Sequence, residues 1–349
     1  MKVSFVSSQA ISQAMRYQTS RLQSDLVKAT KEMSTLRVAD TGLALGARSS
    51  ISVSLNREVD RLKGIIDSNE LAATRLKSTQ VGLQQLTDAA SGLLADYSTA
   101  MSDATDPSIV QQQAEKVLAL MSSVLNTNLN GENIFAGINT DARPFGNFLD
   151  PTSSNRVEFD MAFSSYFGFT PDDPAAAGID GANMNNFLAT VVEPQFIGAG
   201  WENNWSQATD QTITSRITLT ETAQTSVSAN ISGFRKLAMA AATITATFNG
   251  QLNEEARLAA IEHGIKYLGE AVADLANQQG YTGVTEQRLS KATERMSTQI
   301  DLFSNSIQDL EGVDEFEAAA KVTNLKTQLE ISYSLTASMQ KLSLLNYLS

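Results

Sequence analysis

The sequence predicts a mainly α fold: a long antiparallel helical rod, or coiled coil, formed by both chain ends and carrying an inserted β-rich domain. Three observations predict it. Five of the six prolines (Pro144, Pro151, Pro171, Pro174 and Pro194) fall between residues 144 and 194, whereas 1–106 and 195–349 contain none. Proline removes a backbone donor and clashes with the preceding helical turn, so the outer stretches can stay helical where the middle cannot. The same middle holds both tryptophans and, from Phe145 to Trp205, 11 of the 23 aromatic residues. Finally, apolar residues at both ends of the chain recur in steps of three and four, the spacing of a coiled-coil strand.

The N-terminal stripe runs Ile11, Met15, Leu22, Leu26, Ala29, Met33 and Leu36, with a polar gap at Gln18. Residues 50–104 read as one long helix through Val59, Leu62, Ile66, Leu71, Leu76, Leu83, Leu86, Leu93 and Leu94. Asp106-Pro107 breaks the chain and suits the first turn of a second helix, about 107–129, which is expected to stop at Asn130-Gly131. In 145–210, Val157-Phe159 and Phe163-Phe169 among turn residues predict short strands and loops. Residues 212–248 and 253–311 read helical again, joined near Asn249-Gly250, with Gly280 and Gly283 interrupting the second run. The C-terminal stripe is Val322, Leu325, Leu329, Leu335, Met339, Leu342 and Leu345, broken at Ser332. Both stripes are too narrow to fold alone, so the simplest partner of each end is the other end, with neighbouring copies next. The expected domains are 1–45 with 312–349, 46–144 with 212–311, and the insert 145–211.

Composition narrows the function classes. The 349 residues carry a net charge of -12, against the Lys/Arg surplus that a nucleic-acid binder needs. The absence of cysteine removes disulfide frameworks, thiolate metal sites and cysteine nucleophiles. One histidine, His263, leaves little material for a triad or a histidine metal site. The first residues show no secretory signal, and no apolar run reaches the roughly 18 residues of a membrane span. Charge is uneven: residues 1–50 have seven basic and three acidic side chains, 301–349 three and seven, and 146–216 two and nine. Opposite signs at the two ends favour their pairing weakly.

Candidate chemistry is sparse. His263 lies in Glu262-His263-Gly264-Ile265-Lys266 and reads as an ordinary helix-surface histidine. Neither Gly42 with Gly46 nor Gly131 with Gly137 fits a nucleotide-binding loop. Asp172-Asp173 and Glu254-Glu255 read as a loop pair and a helix start rather than a catalytic couple. No catalytic residue, metal site or cofactor is expected. A secreted acidic hydrolase housed in the insert is the reading from another class; it requires clustered, buried carboxylates there.

Two segments carry a resemblance. Leu129-Asn130-Gly131-Glu132-Asn133-Ile134-Phe135-Ala136-Gly137, followed by Thr140 and Arg143-Pro144-Phe145, resembles the NG-x-x-IFAG stretch of the flagellin superfamily, especially its hook-associated protein 3 branch. The ending, Leu329-Glu330-Ile331-Ser332-Tyr333 through Leu342-Ser343-Leu344-Leu345-Asn346-Tyr347-Leu348, is similar to the L-E-x-S-Y … L-S-L-x-x-Y-L close of the same branch. The chain departs at Ser34-Thr35-Leu36-Arg37-Val38-Ala39-Asp40, which keeps the arginine of an S-G-x-R-I-N segment but loses the acidic pair and proline that follow it.

The resemblance implies a structural subunit of the bacterial flagellum, a hook–filament junction protein without catalysis, with flagellin itself as the alternative. The implied terminal domain, D0, is a coiled coil; D1 is helical; D2 is the outer insert. Partners would be further copies of the chain, hook-associated protein 1, flagellin and a flagellar export chaperone, with no nucleic acid and no membrane. Export unfolded through the flagellar type III apparatus would place it outside the cell. Assembly is then expected to rest on Ile11, Met15, Leu22, Leu26, Met33 and Leu36 with Leu325, Leu329, Leu335, Met339, Leu342 and Leu345, the last four also being the candidate chaperone site.

Overall fold

The computed structural model describes residues 8–102, 106–248 and 251–348, with side chains over 10–102, 106–248 and 251–339. In chain order the elements are α1 (Ser8–Thr35), α2 (Thr41–Leu45), α3 (Ser49–Ser102), α4 (Pro107–Leu125), β1 (Asn128–Leu129), β2 (Glu132–Asn133), α5 (Ser154–Phe167), α6 (Gly181–Phe187), α7 (Glu193–Phe196), β3 (Thr214–Arg216), β4 (Thr222–Gln224), α8 (Ser232–Thr247), α9 (Glu254–Glu311) and α10 (Glu315–Leu348). The fold is mainly α. Each sheet is a two-stranded antiparallel hairpin, β1–β2 or β3–β4.

The chain forms two compact units, Met1–Gly64 with Met296–Ser349, and Ile65–Arg295. The first holds α1, α2, α10 and the outer ends of α3 and α9. Asp40 starts α2 by accepting from the Leu43 amide at 3.0 Å, which satisfies one of the free donors of the first turn.

The second unit holds the main core. Its centre is α8, whose Leu237, Ala238, Ala240, Ala241, Ala242 and Ile244 are all fully buried. A helix apolar on every side belongs inside a core, and alanines let neighbouring helices come close. Leu83, Leu86, Leu93 and Tyr97 of α3, Leu118, Met121 and Leu125 of α4, and Leu268 and Leu275 of α9 join the same core. As the sequence predicts, Pro107 sits in the first turn of α4, with Asp106 accepting from the Ser108 amide at 2.9 Å.

Four expectations are corrected. The insert 145–211 is helical rather than β-rich: among the described residues it contains α5, α6, α7 and short 3-10 and π turns, and its β structure is one bridge, Phe145 to Ser206. Aromatic residues favour strands, but Phe159 and Phe163 are one helical turn apart in α5, and Asp173 and Asp180 cap the helical turns that follow. Phe148, Phe159, Phe163, Phe187, Phe196, Trp201 and Trp205 pack into the main core as edge-on, tilted or stacked pairs.

Residues 212–231, expected to be helical, instead form the β3–β4 hairpin, and α8 starts only at Ser232. Alternating threonines (Thr214, Thr218, Thr220 and Thr222) favour extended backbone. Asn130-Gly131 is the two-residue turn of β1–β2, with φ of 54° and 92°, and α4 ends earlier, at Leu125. Gly280 and Gly283 do not interrupt α9, which is 58 residues long. The expected junction at Asn249-Gly250 lies outside the described residues.

Candidate assembly interface

Helices α1 and α10 pair antiparallel. Lys321 Nζ binds Glu32 Oε2 at 2.9 Å, and nine residues along α1 and twelve along α10 from that bridge Gln23 Nε2 donates to the Tyr333 hydroxyl at 2.7 Å. Half-buried positions recur as Ile11, Met15, Thr19, Leu22 and Leu26 in α1 and as Val322, Leu325, Leu329, Ser332, Thr336 and Met339 in α10. Among the described residues of these two helices only Ala29 and Ala318 are fully buried. The seam is therefore narrow, and seven of the twelve candidate assembly residues lie along it.

The other five fall elsewhere. Met33 and Leu36 are each 38% exposed, and Leu335 is 50% exposed, because the α10 seam passes through Ser332 and Thr336 instead. Leu342 and Leu345 lie outside the described side chains. Leu335 shares a helical face with Ile331, which is 53% exposed. Tyr17 and Val27 of α1 are also largely exposed. The paired arms thus leave several large apolar side chains in water.

Electrostatics contribute little. Hydrogen bonding to Lys321 holds the Glu32 carboxyl below its ordinary range against a small burial penalty. This bridge runs against the net charges of the two ends, since the acid is on the basic N-terminal arm. The opposite end charges are thus not what joins the pair, and an exposed bridge of this kind stabilises by about 0 to 1 kcal/mol.

Where the arms meet α3 and α9, the backbone is stitched. Val38 N donates to Glu311 O at 2.8 Å and Val313 N to Leu36 O at 3.0 Å, around an antiparallel bridge between Arg37 and Gly312. Leu36 adopts φ 53°, a left-handed conformation uncommon for leucine. The Glu311 side chain, 7% exposed, accepts from Ser52 Oγ and from Arg37 Nη1, the latter at 3.4 Å. Ser52 and Glu311 carry no sequence signal, since each sits in an unbroken helical pattern. Arg37 is visible only through the resemblance.

The Asn130–Gly137 motif lies in the second unit and is internal. Asn130 and Gly131 turn the β1–β2 hairpin, whose Glu132 pairs with Arg75 of α3. Ile134, Phe135 and Ala136 are buried, and Phe135 meets Phe234 of α8 edge-on at 5.8 Å. Ala229 N donates to Phe135 O at 2.7 Å and Thr209 N to Ala136 O at 3.1 Å, so the motif ties three segments together. Gly137 has φ 69°, and a Cβ there would stand 2.4 Å from the Thr209 carbonyl oxygen.

His263 is not on the surface: its side chain is 9% exposed between α9 and α7, with Nε2 3.2 Å from Glu193 Oε1. Burial lowers its pKa from the ordinary histidine value, outweighing the carboxylate, and Nδ1 has no partner. Burial likewise pushes the neighbouring Tyr267 hydroxyl up. Asp173 caps a 3-10 turn, and Glu254 and Glu255 occupy the first turn of α9. Among the described residues, no three His, Cys, Asp or Glu side chains gather as metal ligands, and no helix is long and apolar enough to cross a membrane.

One unit built on the paired terminal helices and a second, separately packed helical unit make up a helical structural subunit of the kind built from both ends of one chain. Residues 6–140 match the family model of the bacterial flagellin N-terminal helical region, and residues 265–348 that of the bacterial flagellin C-terminal helical region. The chain belongs to the flagellin superfamily. As such it is a structural component of the extracellular flagellum, in a family of non-enzymatic proteins that self-assemble and associate with other flagellar components. A solved structure from Vibrio parahaemolyticus, described as a flagellar hook-associated protein, is similar in fold, with a TM-score of 0.53 and 12% identity. The match covers 76% of this chain and 97% of that one. No curated protein matches the sequence.

Proposed function

We propose that the chain is the hook–filament junction subunit, forming a ring that joins hook-associated protein 1 to flagellin. It leaves the cell unfolded through the flagellar type III apparatus. Before export, the apolar C-terminal stripe that includes Leu335, Met339, Leu342 and Leu345 is held by an export chaperone. The exposed apolar face beside the α1–α10 seam supports assembly through the arms. The observation that carries the junction over the filament is the ending, Leu329-Glu330-Ile331-Ser332-Tyr333 through Tyr347-Leu348, which resembles the hook-associated branch more than the leucine-rich close of flagellins.

Mechanistically, assembly is folding completed by a neighbour. Each apolar side chain of the exposed face that becomes fully buried contributes about 1.5 to 3 kcal/mol, offset by the ordering of the arms at about 1 to 2 kcal/mol per residue. Deleting the gene tests the reading. The junction role expects filament protein that is still made but leaks unpolymerised into the medium. Loss of the filament protein itself would identify the chain as flagellin.

A further inference from the structure

We propose that Glu311 is a positioning residue that sets the register of the arm pair. The seam by itself discriminates register poorly. Its fully buried members are the small Ala29 and Ala318, and each cross-arm polar contact, Glu32 to Lys321 and Gln23 to Tyr333, has a solvent-exposed partner. Its polar positions do not choose partners either: Thr19 Oγ1 donates to Met15 O and Thr336 Oγ1 to Ser332 O, each within its own helix. A coiled-coil pair slipped by one heptad would place half-buried apolar side chains against their equivalents at little cost.

At the base of the arms the situation is opposite. Glu311 is buried, and a buried carboxylate is costly unless its oxygens are bonded. One oxygen is bonded by Ser52 of α3 and the other by Arg37, just beyond α1. Two backbone hydrogen bonds, Val38 to Glu311 and Val313 to Leu36, close the same node. Sliding α1 along α10 would pull Arg37 away from Glu311 and leave that charge buried with half its partners. A buried polar group that fixes register is the best-attested use of such groups in helical pairs. Register therefore starts at the base and is read outward along the arms. The pin acts within one chain, so it stands or falls separately from the junction reading.

The protein has no cysteine, so Gln13→Cys with Lys326→Cys gives two clean sites for nitroxide labels on exposed positions. In the pinned register these positions are offset by roughly 24 Å along the arm axis, and a one-heptad slip changes the offset by about 10 Å. Electron-paramagnetic distance measurement on the full chain is expected to give one narrow distance in the parent. Glu311→Ala should add a population displaced on the scale of that heptad while the arms stay helical. Glu311→Gln, which keeps an acceptor for Ser52 but not the charge for Arg37, should show a smaller displaced share. Lys321→Ala, which removes an exposed bridge, should shift nothing.

An unshifted single distance in Glu311→Ala overturns the proposal, as does a Lys321→Ala shift of equal size or a parent with no defined distance. Should Glu311→Ala lose the arm helices, Arg37→Ala and Ser52→Ala decide it. Displacement in either supports the pin, and none in both overturns it.

Discussion

Gly137 and Gly280 respond oppositely to the same methyl group. At Gly137 the backbone is left-handed at φ 69°, and the Cβ of an alanine would meet the Thr209 carbonyl at 2.4 Å. The conformation alone costs about 1 to 2 kcal/mol and the clash adds to it. At Gly280, inside α9, a Cβ meets nothing within 4 Å, and alanine is the better helix former by about 1 kcal/mol. Thermal unfolding of the second unit should therefore fall by several degrees in Gly137→Ala and rise slightly in Gly280→Ala. A stable Gly137→Ala would mean that the loop relaxes around the methyl. His263 sets a pH response of defined sign. Its pKa in the fold lies below that of the open chain, so the unfolded state binds more protons as pH falls through about 6.5. The stability held by neutral His263 is present at pH 7 and is lost as pH falls through the folded value. Melting temperatures should show the parent losing stability relative to His263→Gln between pH 7 and pH 5. Parallel curves would mean that Glu193 compensates the charge fully.

At the scale of elements, legibility followed the length of the periodic signal. The long helices α3, α4 and α9 stand within a few residues of where the apolar spacing places them, because many turns repeat one pattern. Two glycines could not break α9, since propensity is a small term beside tertiary packing on the rest of a 58-residue helix. The insert failed for the opposite reason. Its helical stretches, the 14 residues of α5 and the run 181–196, are short beside α3 or α9, and its aromatic residues fit a strand or a helix equally well in such windows. Its helical character lies in caps, Asp173 before Pro174 and Asp180 before Gly181, rather than in periodicity. The seam of α10 was displaced by the same ambiguity. Leu335 is more apolar than Ser332 or Thr336, but the 4-3 spacing that starts at Ala318 leads through the polar pair and leaves the leucine outside. Apart from Arg37, the base of the arms was illegible, because Ser52 and Glu311 are 259 residues apart and meet only through the fold.

For the whole molecule, the two units differ in what holds them. The second buries a contiguous core that includes both tryptophans, most of the phenylalanines and nearly every side chain of α8. The first depends on a narrow seam and one buried node at Glu311, with helices of 28 and 34 residues that present Tyr17, Val27, Ile331 and Leu335 to water. Helices of that length can persist, yet in proteins their stability comes mainly from packing an apolar face, and here little of that face is packed. Local stability should accordingly be graded. Hydrogen exchange followed by mass spectrometry on the full chain is expected to show peptides from 10–35 and 315–339 exchanging well before those from α8 and from 83–97 of α3. On incorporation into an assembled flagellum the arm peptides should become protected by a large factor, while those of α8 change little, because α8 is already buried in the core whereas the arms leave Tyr17, Val27, Ile331 and Leu335 in water. Equal protection of arms and α8 in the free chain would mean that the seam is stronger than its burial allows. Unchanged exchange of the arms on assembly would remove them from the interface.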